Sequence, residues 1–290
     1  MAKPFIKWVG GKTQLLDEIN ARKPKKFSKY CEPFVGGGAV LFNIIEENKP
    51  DKILINDINP DLANLYFVVK NAVAPLICLL KEYDKEYKAS DDRQAYYLAK
   101  RTRYNNISIT FGKIDTENIE DAALFIFLNK TCFNGLYRVN SNGHFNVPHG
   151  DYKNPKILDE ENLEAASKAL TNVTITNDSY KSCLSFIDAD TFVYFDPPYR
   201  PLNTSSSFTA YSKSGFGDKE QKELKLFVDK VVSAGAKFEL SNSDPKNTDP
   251  DDNFFDTLYN TYTIDRVKAR RNVNSKGSAR NQITEIIVYI

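Results

Sequence analysis

The stretch Thr191-Phe-Val-Tyr-Phe195-Asp196-Pro197-Pro198-Tyr199 joins a run of β-prone residues to an acid, two prolines and an aromatic residue. This pattern predicts a buried strand that presents a carboxylate at its carboxyl end, the edge at which open α/β sheets bind ligands. Prolines cannot donate to a sheet ladder and restrict the residue before them, so the backbone around Asp196 is predicted to be stiff. A rigid carboxylate, carbonyl and aromatic ring suit a flat molecule with an NH2 group. The alternative that the motif leaves open is a strand followed by a tight turn.

The composition of the 290 residues is that of one large or two ordinary globular domains. The formal net charge is only +1, so any nucleic-acid binding must rely on local concentrations of Lys and Arg. No apolar run reaches the length of a membrane span and the first residues lack a signal peptide's apolar segment, which predicts a cytoplasmic protein without membrane contact. The four cysteines are scattered and there are two histidines, which predicts reduced thiols, mostly buried, and no metal site.

A glycine turn lies near the amino terminus, in Lys7-Trp8-Val-Gly-Gly-Lys12-Thr13. It superficially resembles a phosphate-binding loop, but Ile6 stands where that loop requires its first glycine, which excludes an ATPase of the P-loop type. A turn between an indole and an ammonium group remains. Helix capping and a ligand clamp both stay open for it.

A second glycine turn follows a predicted strand, in Tyr30-Cys-Glu-Pro-Phe-Val-Gly-Gly-Gly-Ala-Val40. Strand, turn and helix make the first half of a Rossmann-type unit, but Leu41 occupies the third glycine position of the dinucleotide fingerprint. The next predicted strand ends at Asp57, about twenty residues later, where a carboxylate meets ribose hydroxyls. The combination predicts a nucleoside ligand without a pyrophosphate, such as S-adenosylmethionine (AdoMet).

The sheet pattern lapses between residues 61 and 170, which predicts a helical insertion. Helices are predicted at 62–87 with a break near Pro75, at 92–104 and at 118–128. Within the insertion, Asn142-Gly143 between alternating segments predicts a tight β-hairpin. Such a ribbon fits a DNA major groove, and three of its residues carry donors and acceptors suited to base edges: Asn134, Arg138 and Asn140. A hairpin that only packs on its own domain is the alternative.

The sheet pattern resumes near residue 172, with strands predicted at 172–176, 192–195, 237–240, 262–267 and 282–290 and a helix at 219–233. A basic stretch from Arg266 through Arg280 contains no acid, and its polar residues between Asn272 and Ser278 predict a flexible loop that can contact phosphates, with a solvated charged face as the alternative. The loop from Arg200 to Gly217 follows the Asp196 motif and is rich in Ser, Thr, Gly and Tyr residues.

Taken in order, the motifs of this chain resemble those of the Dam-type DNA adenine-N6 methyltransferases of the D12 class. That family includes the methylases of restriction-modification systems that modify GATC. The resemblance covers essentially the whole chain, and the ordered set of motifs is far more specific than any one of them. The motifs are Trp8-Val-Gly-Gly-Lys12, Glu32-Pro-Phe-Val-Gly-Gly-Gly38, Asn56-Asp57, Asn134-Gly-Leu-Tyr-Arg138, Phe145-Asn-Val-Pro148 and Asp196-Pro-Pro-Tyr199.

The resemblance implies a Rossmann-like α/β AdoMet-dependent catalytic domain, residues 1–60 and 171–290, interrupted by a mainly helical target-recognition domain, residues 61–170, that carries the β-hairpin. It implies AdoMet contacts at Trp8, Lys12, Glu32, Phe34, Gly36, Gly38, Asp57 and Asp196, with the turn from Gly36 to Gly38 beneath the cofactor. It implies catalytic roles for Asp196, Pro197 and Tyr199, and the position of the loop from Arg200 to Gly217 then predicts that this loop helps to stabilise an extruded base or strand. DNA contacts are implied or predicted at Asn134, Tyr137, Arg138, Asn140, Pro148, Arg270 and Arg271.

The implied co-substrate is AdoMet without a metal, and the implied partner is double-stranded DNA, with GATC as the target. A cognate restriction endonuclease and a monomeric state are further expectations. Methylation of an RNA base or a protein amide stays open, as does a DNA-binding protein that keeps an AdoMet fold without catalysis.

Overall fold

The structure is a computed structural model that describes residues 1–200, 216–270 and 282–290, with Arg270 and Gln282 described by their backbone alone. The strands are β1 Lys29–Glu32, β2 Lys52–Asn56, β3 Val173–Thr176, β4 Thr191–Phe195, β5 Lys237–Ser243, β6 Thr263–Arg270 and β7 Gln282–Tyr289. The α-helices are α1 Leu16–Arg22, α2 Ala39–Asn48, α3 Pro60–Asn71, α4 Val73–Ala89, α5 Arg93–Asn106, α6 Thr116–Thr131, α7 Glu160–Ala169, α8 Asp218–Ser233 and α9 Phe254–Leu258. The predicted mixed α/β class is confirmed.

The strands form a sheet in the order β3-β2-β1-β4-β5-β7-β6. The central strands β2, β1, β4 and β5 are parallel, whereas β7 runs antiparallel to both β5 and β6. All five residues of β4 are buried, as expected for a central parallel strand that is covered on both faces. The strand order switches between β1 and β4, because β2 and β3 are added on one side of β1 whereas β4 and β5 lie on the other, and such a switch point is where open α/β sheets bind ligands. Glu32 and Asp196 mark the carboxyl ends of these two strands.

The chain divides into two compact units. One comprises residues 1–11, 36–49 and 56–178, and the other comprises residues 12–35, 50–55 and 179–290. In the first unit, α3, α4 and α5 all pack on α6, which is buried along most of its length. In the second unit, one apolar cluster joins β4, β5 and β7 to α8. The division into an AdoMet domain and a target-recognition domain at residues 61 and 170 stays a prediction.

Several predicted elements are confirmed with shifted ends. The helix predicted at 62–87 is the pair α3 and α4, which breaks at Ala72. Pro75 lies in the first turn of α4, where its missing N–H removes no helical hydrogen bond. The patterns did not predict α1, α7 and α9; α1 and α9 are too short for a periodic signal, and α7 is polar with two buried residues. As predicted, most cysteines are buried, and all four are free thiols.

Within residues 1–200, 216–270 and 282–290, no single helix is both long and apolar enough to cross a bilayer; α3 and α4, which are bent by 111°, reach that length and apolarity only as a pair.

Glu239 lies on β5 and carries a carboxyl group that is fully buried within the sheet. Neither oxygen of this side chain has a hydrogen-bond partner among the described residues. Burial raises the pKa of Glu239 to about 8, opposed by the positive charges of Arg22 and Lys23. The folded protein therefore retains a proton on this group over a pH range in which the unfolded chain releases it.

Because the folded pKa lies above the unfolded value of about 4.5, this group makes stability fall as pH rises from about 4.5 to about 8. We expect Glu239→Gln to gain stability relative to wild type across that window, on the order of 1 kcal/mol per pH unit, with no further gain above it. Urea unfolding at a series of pH values measures the difference. The control is Glu46→Gln on the exposed face of α2; parallel pH curves for wild type and Glu239→Gln would contradict the expectation.

Candidate active site

The carboxyl end of β4 carries a cluster of charged and aromatic side chains. The Nζ atom of Lys12 lies 2.7 Å from the Asp196 carboxylate and 4.8 Å from the centre of the Tyr199 ring. Lys12 begins the 3₁₀ turn Lys12–Leu15, and only 4% of its side chain is exposed, against 22% for Asp196. The structure therefore brings three of the predicted site residues together around one buried ammonium group.

The pKa of Asp196 is raised to about 6, mainly by burial of the carboxylate; the charge and hydrogen bond of Lys12 oppose this rise, and the nearby charge of Glu285 adds to it. The group is thus mainly ionised at pH 7 and can accept hydrogen bonds. Protonation below pH 6 would turn one of its acceptors into a donor.

Glu285 is a member of this cluster that the sequence patterns did not identify. It lies on β7 and accepts a short hydrogen bond from the Tyr199 hydroxyl. Burial and the charges of Asp196 and Glu285 raise the pKa of Tyr199, so the phenol stays protonated and can donate. The hydroxyl and the ring of Tyr199 are therefore held by different partners, Glu285 and Lys12.

The end of β1 places two further predicted residues. Glu32 is buried and its carboxylate accepts a hydrogen bond of 2.8 Å from the Tyr30 hydroxyl. Phe34 is half-buried, with ring centres 5.2 Å from Tyr180 and 6.2 Å from Phe216. A cofactor role for either residue stays a prediction.

The glycine turn Gly36 to Gly38, in the other compact unit, is closely packed by aromatic side chains. Gly36 and Gly38 have φ values of 48° and 73°, which favour glycine. A Cβ atom at Gly36 would lie 3.0 Å from the Trp8 indole, and one at Gly38 would lie 2.5 Å from the Tyr66 hydroxyl. The turn therefore requires glycine because Trp8 and Tyr66 approach its backbone.

Asp57 lies directly after β2 and is bound to the same turn. Its carboxylate oxygens accept the backbone N–H groups of Gly36, at 3.1 Å, and Asn59, at 3.0 Å. Burial raises the pKa of Asp57 to about 6, although the backbone hydrogen bonds lower it. The next side chain, Ile58, is 59% exposed. The Asp57 carboxylate retains acceptor capacity for a hydroxyl group, and Ile58 offers an apolar surface for a flat ring, so this group of residues fits a nucleoside.

Residues 132–150 form an antiparallel ribbon, as predicted, but with isolated bridges instead of regular strands. The bridges pair Cys132 with His149 and Val139 with Phe145. The Gly143 N–H donates to the Asn140 carbonyl, and Gly143 has φ of 83°. The turn thus has Ser141 and Asn142 at its centre with Gly143 in the left-handed region, the three-residue hairpin form rather than the two-residue form.

Three predicted base-reading residues occupy different positions on this ribbon. Arg138 is exposed, and its guanidinium donates to the side chain of Asn146 at 2.7 Å and to the Asn146 carbonyl at 3.3 Å. The Asn140 side-chain oxygen accepts the N–H groups of Asn142 and His144, so it stabilises the turn. Asn134 is exposed with φ of 57°, inside the 3₁₀ turn Phe133–Gly135.

Tyr137 packs inward. Its ring stacks on Phe125 at 5.3 Å and lies 5.4 Å from Trp8, and its hydroxyl donates to Asp61. These contacts give Tyr137 a packing role, and contact with DNA stays a prediction for it. Pro148 is exposed, and its carbonyl accepts the N–H of Phe133.

Phe133 was not predicted as a site residue, although 52% of it is exposed beside Asn134. Other predicted DNA contacts cannot be placed: Arg271, the basic loop through Arg280 and residues 201–215 of the predicted loop lie outside the described residues, and Arg270 is described only as backbone.

The fold and these residues define an α/β protein with a buried Lys–Asp–Tyr cluster at the end of β4 and with the Asp57 carboxylate bound to a glycine turn. The family model described as D12 class N6 adenine-specific DNA methyltransferase matches residues 8–273. The type II methyltransferase M.MjaIII of Methanocaldococcus jannaschii is 47% identical, over 99% of this chain and 98% of its own length. The type II methyltransferase M1.LlaDCHI of Lactococcus lactis subsp. cremoris is 40% identical, over 99% and 94%. The DNA adenine methylase of Haemophilus influenzae is 36% identical, over 98% and 92%.

The chain therefore belongs to the D12 class of N6 adenine-specific DNA methyltransferases. The predicted family and the predicted activity, methylation of adenine N6 in DNA, are both confirmed, and this family implies AdoMet as the methyl donor.

Proposed function

We propose that the Lys12–Asp196–Tyr199 cluster is the reaction centre at which an extruded adenine of duplex DNA is methylated on N6. The observation that carries the proposal is the geometry at the end of β4, where a carboxylate ionised at neutral pH lies beside a fixed aromatic ring. Adenine is a flat molecule with an exocyclic amine, and a base inside a duplex must be flipped out before an enzyme can reach it.

Adenine N6 is a poor nucleophile because its lone pair is delocalised into the ring. The Asp196 carboxylate and the Pro197 carbonyl are proposed to accept its two hydrogens, which lets the nitrogen pyramidalise and direct its lone pair outward. AdoMet, when bound, supplies an electrophilic methyl group together with its leaving group. Lys12 keeps Asp196 ionised, and Tyr199 stacks on the adenine. Asp196 acts mainly as an orienting group, since a carboxylate is a weak base.

AdoMet binding is proposed for the residues predicted from the sequence, with the clearest support at Asp57. Its two oxygens are oriented by backbone N–H groups and suit the ribose hydroxyls, and the exposed Ile58 suits the adenine ring. Trp8 lies on the glycine turn and is proposed to contact the cofactor there. Lys12, Glu32 and Phe34 are proposed as further contacts on the resemblance alone.

DNA recognition is proposed for the ribbon of residues 132–150. Its exposed side chains include a guanidinium, Arg138, and an amide, Asn134, which match the acceptors and donors of base edges in the major groove. The exposed ring of Phe133 is suited to stacking against a base. Arg270 and Arg271 are proposed to contact phosphates without regard to sequence.

The proposed target is GATC, and the proposed setting is a type II restriction-modification system with a cognate endonuclease. The names of the M. jannaschii and L. lactis relatives, both type II methyltransferases, support the setting. A monomer acting in the cytoplasm is the proposed state.

Incubation of plasmid DNA with labelled AdoMet, followed by digestion with endonucleases that sense adenine methylation at GATC, tests the function. We expect incorporation of label and altered cleavage at GATC. Incorporation of label without altered cleavage at GATC would overturn GATC as the target but would be consistent with the same class of enzyme. Label on RNA or protein alone would overturn DNA as the substrate of the proposed reaction centre.

A further inference from the structure

Two buried amide side chains form hydrogen bonds to the backbone on either side of Tyr199. The carbonyl of Pro198, just before it, accepts the Gln221 side-chain N–H at 3.1 Å. The N–H of Arg200, just after it, donates to the Asn242 side-chain oxygen at 3.2 Å. Gln221 lies on α8 and Asn242 on β5, so two separate elements fix the same short segment.

The two amides also bind each other. The Asn242 side-chain N–H donates to the Gln221 side-chain oxygen at 3.2 Å. The relay from Pro198 through Gln221 and Asn242 to Arg200 therefore pairs a donor with an acceptor at every step. Both amide residues are fully buried, where an unmatched polar group would be costly, so the relay tolerates little displacement.

The Arg200 side chain and carbonyl fix the chain directly after Tyr199. Its guanidinium lies 2.6 Å from Asp218, at the start of α8, and 2.6 Å from Asp252, and it covers the ring of Phe254. The Arg200 carbonyl accepts the Ser243 hydroxyl at 3.0 Å. The chain that leaves Tyr199 is thus tied to α8, to β5 and to the loop before α9.

We propose that Gln221 and Asn242 are positioning residues for adenine methylation, which fix the backbone on both sides of Tyr199 so that its ring is ready to receive the extruded base. The proposal rests on the proposed role of Tyr199. It assigns no contact between either amide and a substrate. The relay acts on the chemical step and not on the affinity for DNA or AdoMet, because its atoms bind the backbone of the motif.

The test compares Gln221→Met, which keeps the approximate volume and removes both polar atoms, with Val228→Ala, a buried change on the same helix away from the motif. We expect Gln221→Met to lower kcat about ten-fold with both KM values within about two-fold of wild type, because small misplacements near a reacting group have large effects. Val228→Ala, with a comparable loss in Tm, should leave kcat unchanged. If Gln221→Met does not fold, Asn242→Ser breaks the relay from β5 and takes its place.

The double variant Tyr199→Ala with Gln221→Met tests whether the relay acts through Tyr199. We expect its kcat to equal that of Tyr199→Ala within about two-fold. The positioning role would be overturned if the fold-losses in kcat of the two single variants multiplied in the double variant, or if Gln221→Met kept the wild-type kcat. Wild-type kcat for Tyr199→Ala would instead overturn the proposed role of Tyr199, so the two failures are distinguishable.

Discussion

Asp196→Ala should abolish methyl transfer, with a fall in kcat of about 10³-fold or more, while binding of duplex DNA stays within about two-fold of wild type. The variant removes the carboxylate proposed to hold the adenine amine and leaves Lys12, 2.7 Å away in the wild type, without this partner. Single-turnover transfer of label and a DNA mobility-shift assay measure the two quantities. Turnover near the wild-type rate would refute the assigned role of Asp196.

Asp196→Asn separates the two roles that a carboxylate can have here. The amide keeps an oxygen that accepts a hydrogen bond from the amine, but it cannot take a proton. If Asp196 only orients the amine, Asp196→Asn should transfer methyl groups at least about ten-fold faster than Asp196→Ala. Equal inactivity of the two variants would indicate that the carboxylate must also accept the proton.

The pH dependence of kcat gives a second readout of the same group. Because the pKa of Asp196 is raised to about 6, its charged, accepting form is lost as pH falls through that value. At saturating DNA and AdoMet, wild-type kcat should therefore decline below pH 6, and the decline should be absent in Asp196→Asn. Since the pKa of Asp57 is also about 6, a decline seen only at low AdoMet concentration is attributed to cofactor binding.

The sequence predicted the elements whose signals are local. The buried run before Asp196 and the acid after β2 are continuous patterns, and the strands β4 and β2 appear where they were expected. The hairpin at Asn142-Gly143 was predicted from a dipeptide, yet its form depended on Asn140, whose side chain accepts two backbone N–H groups of the turn.

The residues that sequence reasoning missed contact partners that are distant in the sequence. Glu285 contacts Tyr199 from a strand 86 positions away, and Asn242 reaches Gln221 from another element. Glu285 is the first acid after a long basic stretch and lies in the strand predicted at 282–290, but neither pattern indicates that its side chain contacts Tyr199. The loop at residues 243–253 had no predicted role, and in the structure its buried Asp244 accepts hydrogen bonds from Arg266 and Thr284.

Arg138→Ala should relax the preference for one base pair of the target by about 1–3 kcal/mol, a change of roughly 5- to 150-fold in discrimination. The guanidinium is exposed on the ribbon and is held from one side by Asn146, which leaves donors directed elsewhere for a base edge. Methylation rates on duplexes that differ at single positions of GATC measure the preference. Equal losses on cognate and random DNA would refute base reading by Arg138.

Two comparisons separate base reading from simple loss of charge. Asn146→Ala removes the side chain that holds Arg138 but keeps the guanidinium, so it should reduce discrimination less than Arg138→Ala does, because the arginine must then be ordered on binding. Arg270→Ala with Arg271→Ala removes two positive charges that are proposed to contact phosphates. This pair should weaken binding equally on all sequences and lower the salt dependence of binding, with discrimination unchanged. If Arg138→Ala is the variant that loses discrimination at one base pair, and the Arg270→Ala with Arg271→Ala pair does not, base reading is assigned to the Arg138 guanidinium.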